Sequence, residues 1–293
     1  TVNLTGDYTP ADTSVTVTWN APITLMSDGI DNAHSFTQAA AGVSAFAGPI
    51  GGAGATVNIA GGGTITFSGS APNTYDGLTT VSGGTLTLNK TAGAIAIGSG
   101  GLAVTGGTVY FQASDQIDSA AAVTASGGTL NLGAAAVTNT VSSLTMTDSF
   151  TLSNAGILNV TSLASVLSAD ATQSGAGRLA LTGDYTGTTG GATATWGANI
   201  ALASGDHRFT QDAGGGSRFN GVISGVGGAL TADGEGTIYL YGNANTFDGG
   251  LNVQNGTVML GQANSASAGT VTIGAPGSSG DRKSTRLNSS HTI

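Results

Sequence analysis

The sequence predicts an all-β chain that folds as a parallel β-helix, in which short strands stack coil upon coil. Three observations predict this fold class. Short runs alternate apolar with polar residues, no segment keeps a helical period between helix caps, and the chain repeats itself at two length scales. Alternation indicates strands with one buried face, and regular repetition favours a solenoid over a sandwich or a barrel.

Seven runs carry the alternating pattern, and Gly or Asn bounds each of them. They are rich in Thr, Val, Ile, Leu and aromatic residues, which are common in half-buried strands. The runs are TVNLTGDYT (1–9), TSVTVTWN (13–20), GTITFSG (63–69), GGTLTLN (83–89), GGTVYFQ (106–112), GGTLNLG (127–133) and GTIYLYG (236–242).

The longer repeat is a duplication with a period of about 175 residues, and its second copy is cut short. Four segments recur in the same order at offsets between 172 and 177 residues, one deletion accounting for the last step. They are NLTGDYT (3–9) with ALTGDYT (180–186), HSFTQ (34–38) with HRFTQ (207–211), GTITFSGSAPNTYDG (63–77) with GTIYLYGNANTFDG (236–249), and VSGGTLTL (81–88) with VQNGTVML (253–260). This predicts a first β-helix unit over 1–176 and a second over 177–280.

The shorter repeat has the length of one solenoid coil. GGT strings begin at 83, 106 and 127, which are 23 and 21 residues apart. At this spacing residues 1–280 make roughly a dozen coils. The residues expected to point inward and stack are Leu86 and Leu88, Val109 and Phe111, and Leu130 and Leu132.

The alignment of the two copies also predicts a register. Because successive strand residues point to opposite faces, equivalent positions must share a direction in both copies. We expect Leu86, Leu88, Val258 and Leu260 to point inward, and Thr85, Thr87, Thr257 and Met259 to point outward.

The end of the chain, residues 281–293, is interpreted as foreign. DRKSTRLNSSHTI holds three of the seven Lys and Arg residues, and its first eleven residues are the in-frame translation of a common high-throughput sequencing adapter. With only Leu287 and Ile293 to bury, we expect this tail to add no coil and to be disordered. The protein before it is then a metagenomic fragment, a β-helix that is incomplete at both ends.

Two windows resemble the autotransporter-associated β-strand repeat. The better match is FNGVISGVGGALTADGEGTIYLYGNANTFDGGLNVQNGTVML (219–260), which has the Gly-rich strand, the N-T-F-D-G corner and a following G-T-V-x-L strand. The window at 46–88 matches less completely, with Pro49 and an Ala-rich join. The resemblance extends loosely over residues 1 to about 280. It implies a right-handed parallel β-helix that is exported to the bacterial surface, and in many members a C-terminal membrane barrel or other anchor, which is missing here.

The composition sets further limits. Cys is absent, which excludes disulfides and thiolate metal sites in this sequence. No stretch approaches eighteen unbroken apolar residues, so we expect no direct membrane insertion by a helix of this segment. The chain begins at Thr1 without a basic and apolar leader, and we expect that any export signal was removed or never included.

The repeated N-T-Y-D-G and N-T-F-D-G strings are expected to form corners. Asn, Asp and Gly favour such turns because the short polar side chains bond to nearby backbone and Gly tolerates a left-handed conformation. Tyr75 and Phe247 are then anchors packed at equivalent corners rather than ligand platforms.

Motifs for catalysis are lacking in the sequence. It has no nucleophile elbow, no phosphate-binding P-loop and no zinc-binding H-E-x-x-H. His34 and His207 are repeat-equivalent and are interpreted as strand-edge residues rather than metal ligands. Asp206 beside His207 suggests an acid/base pair, but Ala33 precedes His34 in the other copy. We therefore predict no catalytic, cofactor-binding or metal-ligating residue, and no cofactor.

The charges favour a non-enzymatic surface role. Without the tail, fifteen acidic and four basic residues give the body a charge of −11, against −9 for the whole chain, and such a surface repels nucleic acid. We expect a stalk or passenger segment that serves as a spacer or adhesin, extracellular or at the outer-membrane surface, with glycans or cell-surface proteins of a host or neighbouring cell as partners. The alternative is a carbohydrate-active β-helix that cleaves polysaccharide or binds glycan. Cleavage needs carboxylates clustered with Arg or Lys on one lateral face, and it is disfavoured because the body has a single Glu, Glu235, Asp residues spread over turns, and only four basic residues, Lys90, Arg178, Arg208 and Arg218.

Overall fold

The structure is a computed structural model that describes residues 1–10, 15–91, 93–261 and 269–274. All regular secondary structure in these residues is β-strand. Two compact units are present: unit 1 comprises Thr1–Leu144 and Phe150–Asn159, and unit 2 comprises Thr145–Ser149 and Val160–Ile293. The predicted adapter-derived tail, 281–293, lies outside the described residues.

The strands of unit 1 are short, and most are followed by a turn. They are β1 (Val2–Leu4), β2 (Thr16–Trp19), β3 (Ile23–Leu25), β4 (Ala33–Gln38), β5 (Val43–Phe46), β6 (Ile50–Gly51), β7 (Thr56–Gly61), β8 (Thr64–Gly69), β9 (Thr79–Val81), β10 (Thr85–Lys90), β11 (Leu102–Val104), β12 (Thr108–Phe111), β13 (Ala122–Ala125), β14 (Thr129–Asn131), β15 (Thr138–Met146) and β16 (Phe150–Ser153). The last residues of β15 belong to unit 2.

Unit 2 continues the same pattern of short strands. They are β17 (Ile157–Val166), β18 (Ala171–Ser174), β19 (Arg178–Leu181), β20 (Tyr185–Thr188), β21 (Thr193–Trp196), β22 (Asn199–Leu202), β23 (Gly205–Gln211), β24 (Gly216–Phe219), β25 (Ile223–Ser224), β26 (Gly228–Gly234), β27 (Thr237–Leu240), β28 (Gly250–Val253), β29 (Thr257–Leu260) and β30 (Val271–Ile273). The first three residues of β17 belong to unit 1.

Strand pairing in each unit is that of a β-solenoid, which confirms the predicted fold class. In unit 1 one sheet has the order β2-β5-β8-β10-β12-β14-β16 and a second has β4-β7-β9-β11-β13-β15, so each strand pairs with the strand one coil away. In unit 2 the corresponding orders are β18-β21-β24-β27-β29 and β20-β23-β26-β28-β30. Shorter rows of paired strands, β1-β3-β6 and β19-β22-β25, complete the coils. Strands in neighbouring coils pair in parallel, for example β8 with β10 and β24 with β27.

The predicted register is also confirmed. Leu86 pairs with Ile65 on one side and Val109 on the other, and all three side chains are buried. In unit 2, Val258 and Leu260 continue the inward row of β27, although β29 leaves them half-buried.

The four residues predicted to point outward lie on the opposite face of the same strands. Thr85 and Met259 are half-buried there and Thr257 is exposed. Thr87 is covered although it lies in the outward row, where its register partner is the large side chain of Tyr110.

The duplication extends to the detail of the core. In each unit a Tyr packs against a Trp and two Phe rings, with ring centroids between 5.1 and 6.5 Å apart. In each unit the Tyr hydroxyl is also hydrogen-bonded to a buried Ser, which in turn donates to a buried Gln. The two sets are Tyr8, Trp19, Phe36, Phe46, Ser44 and Gln38 in unit 1, and Tyr185, Trp196, Phe209, Phe219, Ser217 and Gln211 in unit 2.

Candidate functional site

The polar residues of the corner motif hold neighbouring coils together. Asn73 accepts a hydrogen bond from the Ile50 N–H at 2.9 Å and donates to the Ala96 carbonyl at 2.8 Å, and so links three coils. Asn245 accepts equivalently from the Ile223 N–H at 2.8 Å. These bonds run between coils, whereas the turn chemistry of the motif predicts bonds within the corner itself. These side chains satisfy buried backbone groups and are not available to a ligand.

The aromatic residues of the same motif are corner anchors, as predicted. Tyr75 and Phe247 are both buried. The Tyr75 hydroxyl lies 2.7 Å from the Thr79 hydroxyl, and burial raises the pKa of Tyr75 well above its usual value. A phenol that is enclosed and hydrogen-bonded in this way stabilises the corner.

The two repeat-equivalent histidines are buried near the start of β4 and β23, rather than lying at strand edges as we expected. Nδ1 of His34 lies 3.0 Å from the Gly6 carbonyl oxygen, and Nδ1 of His207 is likewise close to the Gly183 carbonyl oxygen, at 2.6 Å. A backbone carbonyl oxygen therefore lies within hydrogen-bond distance of each buried histidine ring. Asp206 does not pair with His207, because successive strand residues face opposite ways; its carboxylate accepts from the Thr231 hydroxyl at 2.7 Å.

An acidic cleft of about 240 Å³ lies at the start of unit 1, lined by residues that include Asp7, Asp28, Asp31 and His34. Each carboxylate already accepts a backbone N–H: Asp7 from Ser35, Asp28 from the two residues that follow Gly29, and Asp31 from Ala33. These bonds shape the turns around the cleft. Among the described residues, no three His, Asp or Glu side chains gather closely enough to hold a metal ion.

The four basic residues of the body have different surroundings. Lys90 is buried, and its ammonium group donates to the carbonyls of Ser68 and Ala71 at 2.9 and 2.8 Å. Arg178 is exposed at the start of β19. Burial withdraws Lys90 from the outer surface, where the enzymatic alternative would need a cation.

Burial of Lys90 predicts a pH-dependent stability. Desolvation lowers its pKa from 10.5 to about 8, so between those values the unfolded chain binds more protons than the folded chain. The free energy of unfolding is therefore expected to rise from pH 8 to pH 10, by up to about 2 kcal/mol. Denaturant titrations across this range measure the slope. The variant Lys90→Met, which has a similar length and no charge, is expected to lose this rise. An unchanged slope in that variant would show that Lys90 is not the group responsible.

Arg208 forms an ion pair on the surface of unit 2. Its guanidinium lies 2.7 Å from the Asp233 carboxylate and also reaches Gln254. Hydrogen bonds from Asn255 and from the Gly234 N–H, followed by the charge of Arg208, hold the pKa of Asp233 below its usual value. The positive charge of Arg208 is thus largely neutralised within the protein.

Arg218 has a different environment, between two tyrosine rings. Its guanidinium carbon lies 5.3 Å from the ring centroid of Tyr239 and 5.0 Å from that of Tyr241, within cation–π range. The two rings stand nearly perpendicular, 5.7 Å apart. The Nε atom of Arg218 is buried and has no hydrogen-bond partner in the described part of the chain. We call Arg218, Tyr239 and Tyr241 the Arg218 cluster.

The Arg218 cluster is the surface feature that sequence reasoning missed. Arg218 was considered only as one of four scattered cations, and Tyr239 and Tyr241 only as part of a strand pattern. The register brings Arg218 directly opposite Tyr239, although 21 positions separate them in the sequence. A comparison of outward positions between the two copies was the signal that could have found the cluster.

A family model matches two stretches of the chain. Residues 60–88 and 230–260 match the model of the passenger-associated transport repeat. Both matches lie inside the windows at 46–88 and 219–260, and they confirm the resemblance to autotransporter passenger repeats. No curated protein and no solved structure matches the chain significantly. In the described residues, no helix has the length and apolar character needed to cross a membrane.

Proposed function

We propose that the chain is a segment of a stalk that is exported to the bacterial surface and serves as a spacer or an adhesin. The proposal is supported by two matches to the passenger-associated transport repeat on a β-solenoid. The observation that carries this proposal is the pair of matches at equivalent places in the two copies. A stack of coils suits such a role, since each coil needs only its neighbours to bury its apolar face.

The use of polar residues supports a non-enzymatic role. Turn carboxylates such as Asp7, Asp170 and Asp184 each accept a backbone N–H, and Asn73 bridges coils. Groups engaged in this way hold the solenoid together, and an acid/base pair needs groups free to exchange protons with a substrate. Glu235 is exposed on a corner.

The expected partners follow from the charge. A net charge of −9 over the whole chain disfavours nucleic acid and other polyanions, whose binding depends on neutralising basic residues. Glycans and cell-surface proteins remain as partner classes. A glycan-binding β-helix is the second candidate function, and the Arg218 cluster is the observation that favours it.

Surface display tests the proposal. The chain is to be joined between an export signal and the membrane domain of an autotransporter, and produced in a Gram-negative host. We expect the chain to reach the cell surface, where protease added to intact cells can cleave it. Cleavage should be slow while the solenoid is folded and faster after mild denaturation, because a folded solenoid resists proteolysis. A matched variant, Gly48→Val, is expected to reach the surface in a protease-sensitive form. Retention of the unaltered chain inside the cell would contradict an exported role.

A further inference from the structure

The Arg218 cluster is a difference between two otherwise similar units. The residues of unit 1 equivalent to Arg218, Tyr239 and Tyr241 are Ala45, Thr66 and Ser68, each 173 positions earlier. The structure bears out this alignment, because Ala45 lies opposite Thr66 as Arg218 lies opposite Tyr239. In each unit these side chains lie on the outward face of the corresponding sheet.

Two glycines accompany the change and make room for the rings. A Cβ atom on Gly216 would lie 3.0 Å from the Tyr239 ring, and one on Gly261 would lie 2.2 Å from the Tyr241 ring. The equivalent residues of unit 1, Val43 and Asn89, both carry side chains. The two rings therefore pack against glycine backbone, whereas unit 1 has side chains at the equivalent positions.

The inward residues of the same strands did not change in character. Phe46 and Phe219 are equivalent and buried, as are Ile65 and Ile238. The differences are thus concentrated on the outer face. One of them also carries a cost, since the buried Nε–H of Arg218 lacks a partner among the described residues.

The outward face around the cluster is rich in hydroxyl groups and carries no carboxylate. The outward residues of β21, β24, β27 and β29 other than the cluster and Met259 are Thr or Gly. No ion pair to Arg218 occurs in the described residues. In a chain with sixteen acidic residues, this leaves one positive charge on a neutral surface.

We propose that the Arg218 cluster binds a glycan through a sugar that carries a single carboxylate. The guanidinium offers a planar fork of N–H donors that matches a carboxylate, and the two tyrosine rings hold it in place, so little side-chain freedom is lost on binding. The tyrosine and threonine hydroxyls beside it suit the hydroxyl groups of neighbouring sugars. A polyanion is disfavoured, because only one cation is present and the rest of the chain repels negative charge.

This inference deepens the proposed adhesin role and rests on it. Binding by the purified full chain does not depend on export, so the two can fail separately. A chain that is displayed on cells but binds no acidic sugar would leave the surface role intact and remove the site.

Isothermal titration calorimetry tests the site with three sugars and three polyanions. Sialyllactose and a disaccharide ending in glucuronate each carry one carboxylate, and lactose is neutral. We expect at least one of the acidic probes to bind at least about tenfold more tightly than lactose, in line with a charge-assisted hydrogen bond. Failure of both acidic probes to bind, or equal binding of lactose, would overturn the proposal. Equal or tighter binding of tetraglutamate, heparin or DNA would show general attraction of anions and would also overturn it.

The other copy supplies the matched variant. Arg218→Ala, Tyr239→Thr and Tyr241→Ser together install the residues of unit 1, which the solenoid tolerates at those positions. We expect this triple variant to keep its circular dichroism spectrum and to lose binding by about tenfold or more. Arg218→Lys, which keeps the charge but not the fork, should also bind more weakly, while Tyr110→Thr, an outward change in unit 1, should bind as the unaltered chain does. Unchanged binding in the folded triple variant would overturn the assignment.

Discussion

Replacing Trp196 with Ala is expected to destabilise unit 2 by about 3–5 kcal/mol, the largest effect of any single change considered. The side chain is fully buried, stands edge-on to Tyr185 and donates its indole N–H to the Ser165 hydroxyl at 3.1 Å. Truncation leaves a cavity between coils and removes the donor that Ser165 faces. Guanidinium titration followed by circular dichroism measures the loss.

The equivalent residue of unit 1 is a control of the same type. Trp19 is only half-buried in β2, although its indole also bonds to a hydroxyl, that of Tyr8, at 3.1 Å. Trp19→Ala is therefore expected to cost less than Trp196→Ala, because less apolar surface leaves water at this position. The chain has two Trp residues, so in each variant the fluorescence of the remaining Trp reports on the unit that was not altered. Equal losses in the two variants would contradict the role assigned to burial.

Replacing Gly48 with Ala is expected to destabilise unit 1 by about 2–3 kcal/mol, although it adds only a methyl group. A Cβ at this position would lie 2.3 Å from the carbonyl oxygen of Ala21 in the neighbouring coil. Backbone cannot rotate away as a side chain can, so the coils must separate locally. Thermal unfolding followed by circular dichroism measures the change.

The second copy and a glycine in open space provide the comparisons. Gly221 is equivalent to Gly48, and a Cβ there would lie 1.9 Å from the Ala198 carbonyl oxygen, so Gly221→Ala should be similarly costly. Gly6 has nothing within 4 Å of its Cβ position, so Gly6→Ala should change stability by less than about 0.5 kcal/mol. A tolerated Gly48→Ala would mean that close approach of the coils is not what requires glycine at these two equivalent positions.

Much of the fold could be predicted because it depends on local patterns. Alternation with a period of two places Leu86 and Leu88 on one face and Thr85 and Thr87 on the other, whatever lies beside the strand. The spacing of the GGT strings then supplies the length of a coil. Repeat-equivalent residues such as Tyr75 and Phe247 were assigned to the same slot for the same reason.

The candidate site was out of reach of that reasoning, because it depends on contacts between coils. The sequence of β24 does not indicate that Arg218 lies opposite Tyr239. It also does not indicate that Gly216 and Gly261 contact the tyrosine rings. A shift of one residue in register would have turned all of these side chains to the other face. The burial of His34 and Lys90 also escaped prediction, since backbone carbonyls from elsewhere in the chain satisfy their nitrogens.

The sequence by itself determined the strands, the coil length, the duplication and the inward rows, because apolar periodicity and turn residues act over a few neighbouring positions. Only the tertiary structure decided which polar groups form hydrogen bonds between coils and which remain on the surface. Asn73 and Arg218 are both polar residues on a Thr-rich and Gly-rich background, yet the first links three coils and the second lies between two outward rings. The physical reason is that a hydrogen bond or a ring contact requires two groups at a set distance, and in a solenoid the stacking of coils sets that distance.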